Sequence, residues 1–214
     1  MTHRLHHETI YRGREFMQKL ACAHIHICGA GALGSNLAVN LARIGVAHLT
    51  IIDMDRIEQT NIGTQVYSMD DVGARKADML RNLIYRDVGA DVEAHAGELT
   101  DKNVGKLLKD ASLVVDTFDN SKSRKLVTDY CRSHSVACLH AGVNDEYGEV
   151  VWNDNYLVPS DGGIEVCDYP LARNLILLVV ATAGEALVRF ITTGAKESYS
   201  ITIGDLTITR EHDR

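Results

Sequence analysis

The sequence predicts an α/β fold with a doubly wound, mostly parallel sheet whose C-terminal part turns antiparallel. Three observations predict it. A glycine-rich turn joins an apolar run to a helical pattern at Gly29–Gly34. Strand and helix patterns then alternate four times up to Gly142. Beyond that point the apolar spacing shifts toward the period of two that marks antiparallel strands.

Taken in order, AHIHICG is a short β-branched run ending in glycine and reads as a buried strand. Positions 32–44 carry Leu33, Leu37, Leu41 and Ile44 at helical spacing and stop at Gly45. HLTIIDMD is the second strand, 72–87 a helix, DVEAHAG a strand and 101–110 a helix. SLVVDTFD, a helix over 121–133 and SVACLHAG complete the alternation. EYGEVVWN reads as an antiparallel strand, 153–168 as a long irregular loop and 171–190 as an apolar helix. SYSITIG and LTITRE form a hairpin about Gly204–Asp205. The whole chain reads as a single domain over 1–214, with a nucleotide-binding half at about 21–142 and an antiparallel half at 143–214.

Composition narrows the function. The 214 residues are 45% apolar and 24% charged, with a formal net charge of -7. There is no basic tract, so DNA is a poor partner. The first residues lack the apolar core of a signal peptide, and Leu175–Ala183, the most apolar run, is too short to span a bilayer. The expectation is a cytoplasmic protein with no membrane partner. Cys22, Cys28, Cys131, Cys138 and Cys167 contain no C-x-x-C pair, so no zinc site is expected. The first four lie in or beside apolar patterns and read as core, and His140, which ends the fifth strand, reads as a satisfied buried histidine, with a substrate contact as the alternative.

Gly29, Gly31 and Gly34 form G-x-G-x-x-G between strand and helix, the Rossmann-like arrangement, with Ala32 opening the helix. Its glycines permit a tight turn, and the helix N-terminus offers free N–H groups to a phosphate. The same turn serves NAD, FAD or ATP, or a plain strand–helix connection. Asp53 ends the second strand where an acidic residue meets ribose hydroxyls, and Asp55 follows it.

Further motifs separate these readings. Gly45–Val46 precedes the second strand, which carries D-x-D at Asp53 and Asp55. Asn61 and Gln65 follow, then Val72, Gly73, Lys76 and Ala77, then Asp116, Asp119, Asn120 and Arg124. In this order and spacing the chain resembles the ThiF/MoeB/HesA family, which includes the ubiquitin-activating enzymes, closely over 29–142 and more loosely beyond. The resemblance implies an ATP- and Mg²⁺-dependent adenylyltransferase acting on the C-terminal Gly-Gly carboxylate of a ubiquitin-like or sulfur-carrier protein. It implies that Lys76 holds phosphate oxygens, that Asp119 organises Mg²⁺, and that Asn61 and Gln65 orient the nucleotide. Asn120 and Arg124 belong to the same loop motif. It also implies a homodimer, an N-terminal arginine at Arg12 or Arg14, and a cysteine at Cys167 able to take the acyl group. Thr64 stands where the family has an arginine, with Arg56, Arg75 and Arg124 as nearby substitutes in sequence. That departure supports an alternative, a weakly catalytic ATP-binding partner subunit. A family member that activates a peptide or a tRNA-linked acceptor is another.

Overall fold

The computed structural model describes residues 3–160 and 170–211. Two short helices, α1 (His6–Arg12) and α2 (Arg14–Cys22), precede the first strand. The parallel strands are β1 (His24–Cys28), β2 (His48–Ile52), β3 (Glu93–His95), β4 (Leu113–Asp116) and β5 (Ala137–Asn144). Helices α3 (Ala32–Ile44), α4 (Lys76–Val88), α5 (Val104–Leu108) and α6 (Ser121–Ser133) connect them. Strands β6 (Tyr147–Trp152), β7 (Ser198–Thr202) and β8 (Thr207–Glu211) follow, with α7 (Arg173–Thr193) between β6 and β7. The eight strands run β3-β2-β1-β4-β5-β6-β7-β8 and become antiparallel from β5 onward.

Alternation along the strands builds a core on each face. Ile25, Ile27, Ile51 and Val115 face α3, α4 and α7, packing with Leu37, Leu41, Leu175, Val179 and Leu187. Cys28, Ile52, Val114 and Cys138 face α5 and α6, packing with Leu108, Val127 and Cys131. Helices therefore cover both faces, as the alternating pattern predicts. Each large aliphatic side chain so buried contributes roughly 1.5–3 kcal/mol.

Boundaries set by caps agree with the sequence. α3 ends at Gly45, whose φ of 112° is left-handed, and α6 begins at Asn120, whose side chain accepts the Ser123 N–H. Others differ. α4 starts at Lys76 rather than Val72, because Gly73 has a φ of 91° and Arg56 and Arg75 form a bridge across that turn. α5 is shorter than 101–110, because the Asn103 side chain takes the Thr100 N–H and closes a turn first. α1 and α2 were not expected. α1 buries no residue and so carries no apolar stripe to read, while α2 buries only Met17 and Leu20. Cys22 is exposed, not core, because it closes α2 outside the sheet.

α7 also departs from expectation. By length and composition it would pass as a membrane-crossing helix, although its most apolar run alone is short. Leu175, Ile176, Val179, Val180, Ala183 and Leu187 are buried along it, so the apolar surface serves the core.

Candidate nucleotide and acyl-transfer site

β1 lies between β2 and β4, with Cys28 level with Ile52 on one side and Asp116 on the other. Connections leave in opposite directions here, so a crevice opens beyond the strand ends. Gly29 has a φ of 100° and donates its N–H to the Ile52 carbonyl at 2.9 Å. A Cβ at Gly34 would lie 2.0 Å from the Gly29 carbonyl oxygen, and one at Gly29 would lie 2.9 Å from Thr117 Oγ1. These two glycines are required by packing. Gly31 is different: it caps α3 and a Cβ there would meet nothing within 4 Å. Ala32, half-buried, opens the helix. The first helical turn leaves N–H groups without intrahelical acceptors, the usual setting for an anion.

Asp53 braces that loop. Its Oδ2 accepts the Ala30 N–H at 2.6 Å and its Oδ1 the Asp55 N–H at 2.7 Å. Burial raises the Asp53 carboxyl above its ordinary value, against the Ala30 hydrogen bond and the nearby Lys76 charge. Lys76, the first residue of α4, is largely buried, and its Nζ lies 3.1 Å from Asp55 Oδ2. The Tyr67 hydroxyl lies 2.9 Å from the Ala30 carbonyl and 3.2 Å from that of Lys76, tying the two segments.

Asn61 and Gln65 belong to the adjoining segment. The Asn61 side chain accepts the Glu58 N–H at 2.9 Å, and the Asn61 carbonyl accepts the Gln65 N–H at 2.9 Å. Asn36 on α3 donates to the Thr64 carbonyl at 2.9 Å, pinning the segment to the helix that follows the glycine loop. Gln65 is buried, and its Oε1 has no hydrogen-bond donor among the described residues. Leaving such an acceptor unmet costs about 1–3 kcal/mol, so the site is suited to a ligand that donates.

At the end of β4 the D-x-x-D-N motif splits. Asp116 is fully buried. Its Oδ2 meets His140 Nδ1 at 2.8 Å and lies 3.9 Å from Arg124 Nη1. His140 Nε2 meets Asn153 Oδ1 at 2.9 Å, and its ring stacks on Tyr156 at 3.7 Å. Arg124 donates to the Tyr156 hydroxyl at 2.8 Å and the Ala141 carbonyl at 3.0 Å. Burial lowers the Arg124 guanidinium, but the charge of Asp116 and the contact with Tyr156 outweigh it, so the net shift is upward. His140 is the satisfied core histidine expected from the sequence. Arg124, grouped there with the nucleotide residues, is turned inward. Asn120 caps α6, while Asp119 is exposed, with the Asn120 amide 3.4 Å away.

The model of the ThiF family matches residues 5–184. The chain belongs to the ThiF family. It is 32% identical over 163 residues to the SAMP-activating enzyme E1 of Haloferax volcanii, covering 75% of this chain and 58% of that protein. It is 34% identical over 142 residues to the sulfur carrier protein ThiS adenylyltransferase of Bacillus subtilis, covering 64% and 42%. The chain thus spans about half the length of the curated relatives it matches. A solved structure of Escherichia coli MccB with ATP superposes with a TM-score of 0.81 at 20% identity, covering 99% of this chain and 72% of that one.

In this ThiF-family chain the two N-terminal arginines part company. Arg12 bonds Glu8 at 2.7 Å and Glu185 of α7 at 2.8 Å, while Arg14 is exposed at the start of α2. Burial lowers the Arg12 guanidinium, but Glu185 and Glu8 outweigh it and raise it overall. Cys167 lies outside the described residues. Sequence reasoning missed the roles of Tyr67, Thr117, Asn36, Asn153 and Tyr156. Each bonds a segment distant in the chain, so no local pattern marks it.

Proposed function

We propose that this ThiF-family chain adenylates the C-terminal carboxylate of a ubiquitin-like or sulfur-carrier protein ending in Gly-Gly. The carrying observation is that Asp53 and Tyr67 tie the glycine loop to the segment that carries Lys76, beside open space at the Gly31 Cα. The names of the curated relatives support the same class of activity. A depression of about 280 Å³ lined by His95, Glu98, Asn103 and Lys106 opens at the end of β3. His95 accepts the Asp53 N–H, so this depression adjoins the loop and can seat the base.

In this reading the N–H groups after Gly31 hold phosphate oxygens and Lys76 neutralises the charge that builds on them. Asn61 and Gln65 keep the nucleotide in register, and Asp53 and Asp55 set the loop and the Lys76 ammonium. Asn120 and Arg124 shape the Asp119 loop. A carrier carboxylate oxygen attacks the α-phosphorus, the bond to the β-phosphate oxygen breaks, and acyl-adenylate and pyrophosphate leave. Asp119, exposed with its oxygens largely uncommitted, suits a hydrated Mg²⁺, which would neutralise phosphate charge when bound. The Cys167 thiolate then attacks the acyl carbon of the adenylate, forming a thioester and expelling AMP, in a cytoplasmic homodimer to which Arg12 or Arg14 contributes; a persulfide at Cys167 would take its outer sulfur from a separate persulfide donor.

The test is ATP–pyrophosphate exchange with and without Gly-Gly-ended carriers. Carrier-dependent exchange that is lost in Asp119→Ala supports the reading. ATP binding without exchange for any carrier sinks it. That result would favour the ATP-binding partner subunit, for which Thr64 in place of the family arginine speaks, or a family member acting on a peptide or tRNA-linked acceptor.

A further inference from the structure

Thr64 removes a cation from the segment beside the glycine loop, and the fold returns one from elsewhere. Arg173, the first residue of α7, donates from Nη1 to the carbonyl of Gly63 at 3.4 Å. Both residues are exposed, and a Cβ at Gly63 would meet nothing within 4 Å, so the space there is open. The contact is long and engages one of about five guanidinium donors, leaving the fork able to grip another oxygen ligand. The segment itself is held in place. Asn36 joins the Thr64 carbonyl to that of Ala32, the residue that opens α3 after the glycine loop, at 2.9 and 2.7 Å.

The arginines that neighbour Thr64 and the D-x-x-D-N loop in sequence are tethered away from the 61–65 segment. Arg56 donates to the Gly73 carbonyl at 2.6 Å, Arg75 to the Met54 carbonyl, and Arg124 to Tyr156 and Ala141. Arg173 is the exposed guanidinium tethered within one residue of Thr64. Guanidinium is suited to phosphate, which it grips through two parallel N–H···O bonds.

We propose that Arg173 is the phosphate-contacting cation of this site, standing in space for the arginine absent at position 64. The proposal rests on the ATP-binding part of the function given above. It predicts that Arg173 recognises the β- and γ-phosphates and is indifferent to the nucleoside.

The experiment is calorimetric titration of Mg²⁺·ATP and of AMP into the full chain, into Arg173→Gln and into Arg173→Gln with Thr64→Arg, beside exchange assays. Expected is a loss of about tenfold or more in ATP affinity for Arg173→Gln, with AMP affinity unchanged. The double variant should recover ATP affinity, because the added arginine sits one residue away. Unchanged ATP affinity, or equal losses for ATP and AMP, would overturn the proposal. The two readings fail separately. Arg173-dependent ATP binding without exchange sinks adenylation and leaves Arg173 assigned. Exchange that survives Arg173→Gln undiminished does the reverse.

Discussion

β2 and β4 flank β1 and end in the same local device with different outcomes. After each, a buried aspartate accepts the backbone N–H two residues on: Asp53 from Asp55 at 2.7 Å, Asp116 from Phe118 at 3.1 Å. A second, more exposed aspartate follows, Asp55 or Asp119. Such turns are local and cheap to form. What lies opposite makes the difference. Asp53 ties down the glycine loop and Asp55 meets Lys76, so this end presents a cation beside free N–H groups. Asp116 is absorbed by His140 and Arg124, and Asp119 meets only the neutral amide of Asn120 among the described residues, so this end presents an anion. In the proposed function one strand end takes phosphate and the other a hydrated divalent cation, and burial, not motif, divides the work between them.

Substitutions can break or sharpen that contrast. The largest effect is expected for Asp116→Ala. It leaves the buried Arg124 and His140 without their carboxylate, at a cost of about 3–5 kcal/mol. The melting temperature should fall on the order of 10 °C. Asp119→Ala, on the surface, should stay within about 0.5 kcal/mol. Comparable losses in urea unfolding of the two variants would erase the distinction between brace and ligand.

Next is Lys76→Gln, which keeps a polar head without the charge. Exchange at saturating ATP should drop by roughly 10²–10³-fold, as for loss of a group aimed at developing charge. Undiminished exchange would reduce Lys76 to a partner of Asp55.

The smallest effect is expected for Asp53→Asn. An amide offers one acceptor oxygen, so either Ala30 or Asp55 loses its bond, at about 1 kcal/mol. The gap between wild type and variant should depend on pH. Burial raises the folded carboxyl above 3.8, so its contribution is complete below that value and is lost as pH rises through the folded value. Paired denaturation curves from pH 4 to 8 should therefore converge with rising pH. A gap that widens would mean that the charged form is the favoured one.

Much of this architecture is legible along the chain. The limits of α3 and α6 follow from apolar spacing, Gly45 and the Asn120 cap. Gly29, Gly31, Gly34 and Asp53 announce themselves by spacing and Lys76 by the resemblance to the family, and the structure gathers them about one loop. The sequence could not reveal that Gly31 faces open space while Gly34 is pressed against Gly29, since identical residues meet different neighbours. Nor could it show Arg124 turned inward or Arg173 set beside Gly63 across 110 residues of chain. Periodicity, caps and glycine conformations are local energies and are written in order along the sequence. Whether a charge is buried and spent or left exposed and free depends on partners brought in from afar, and only the tertiary fold supplies them.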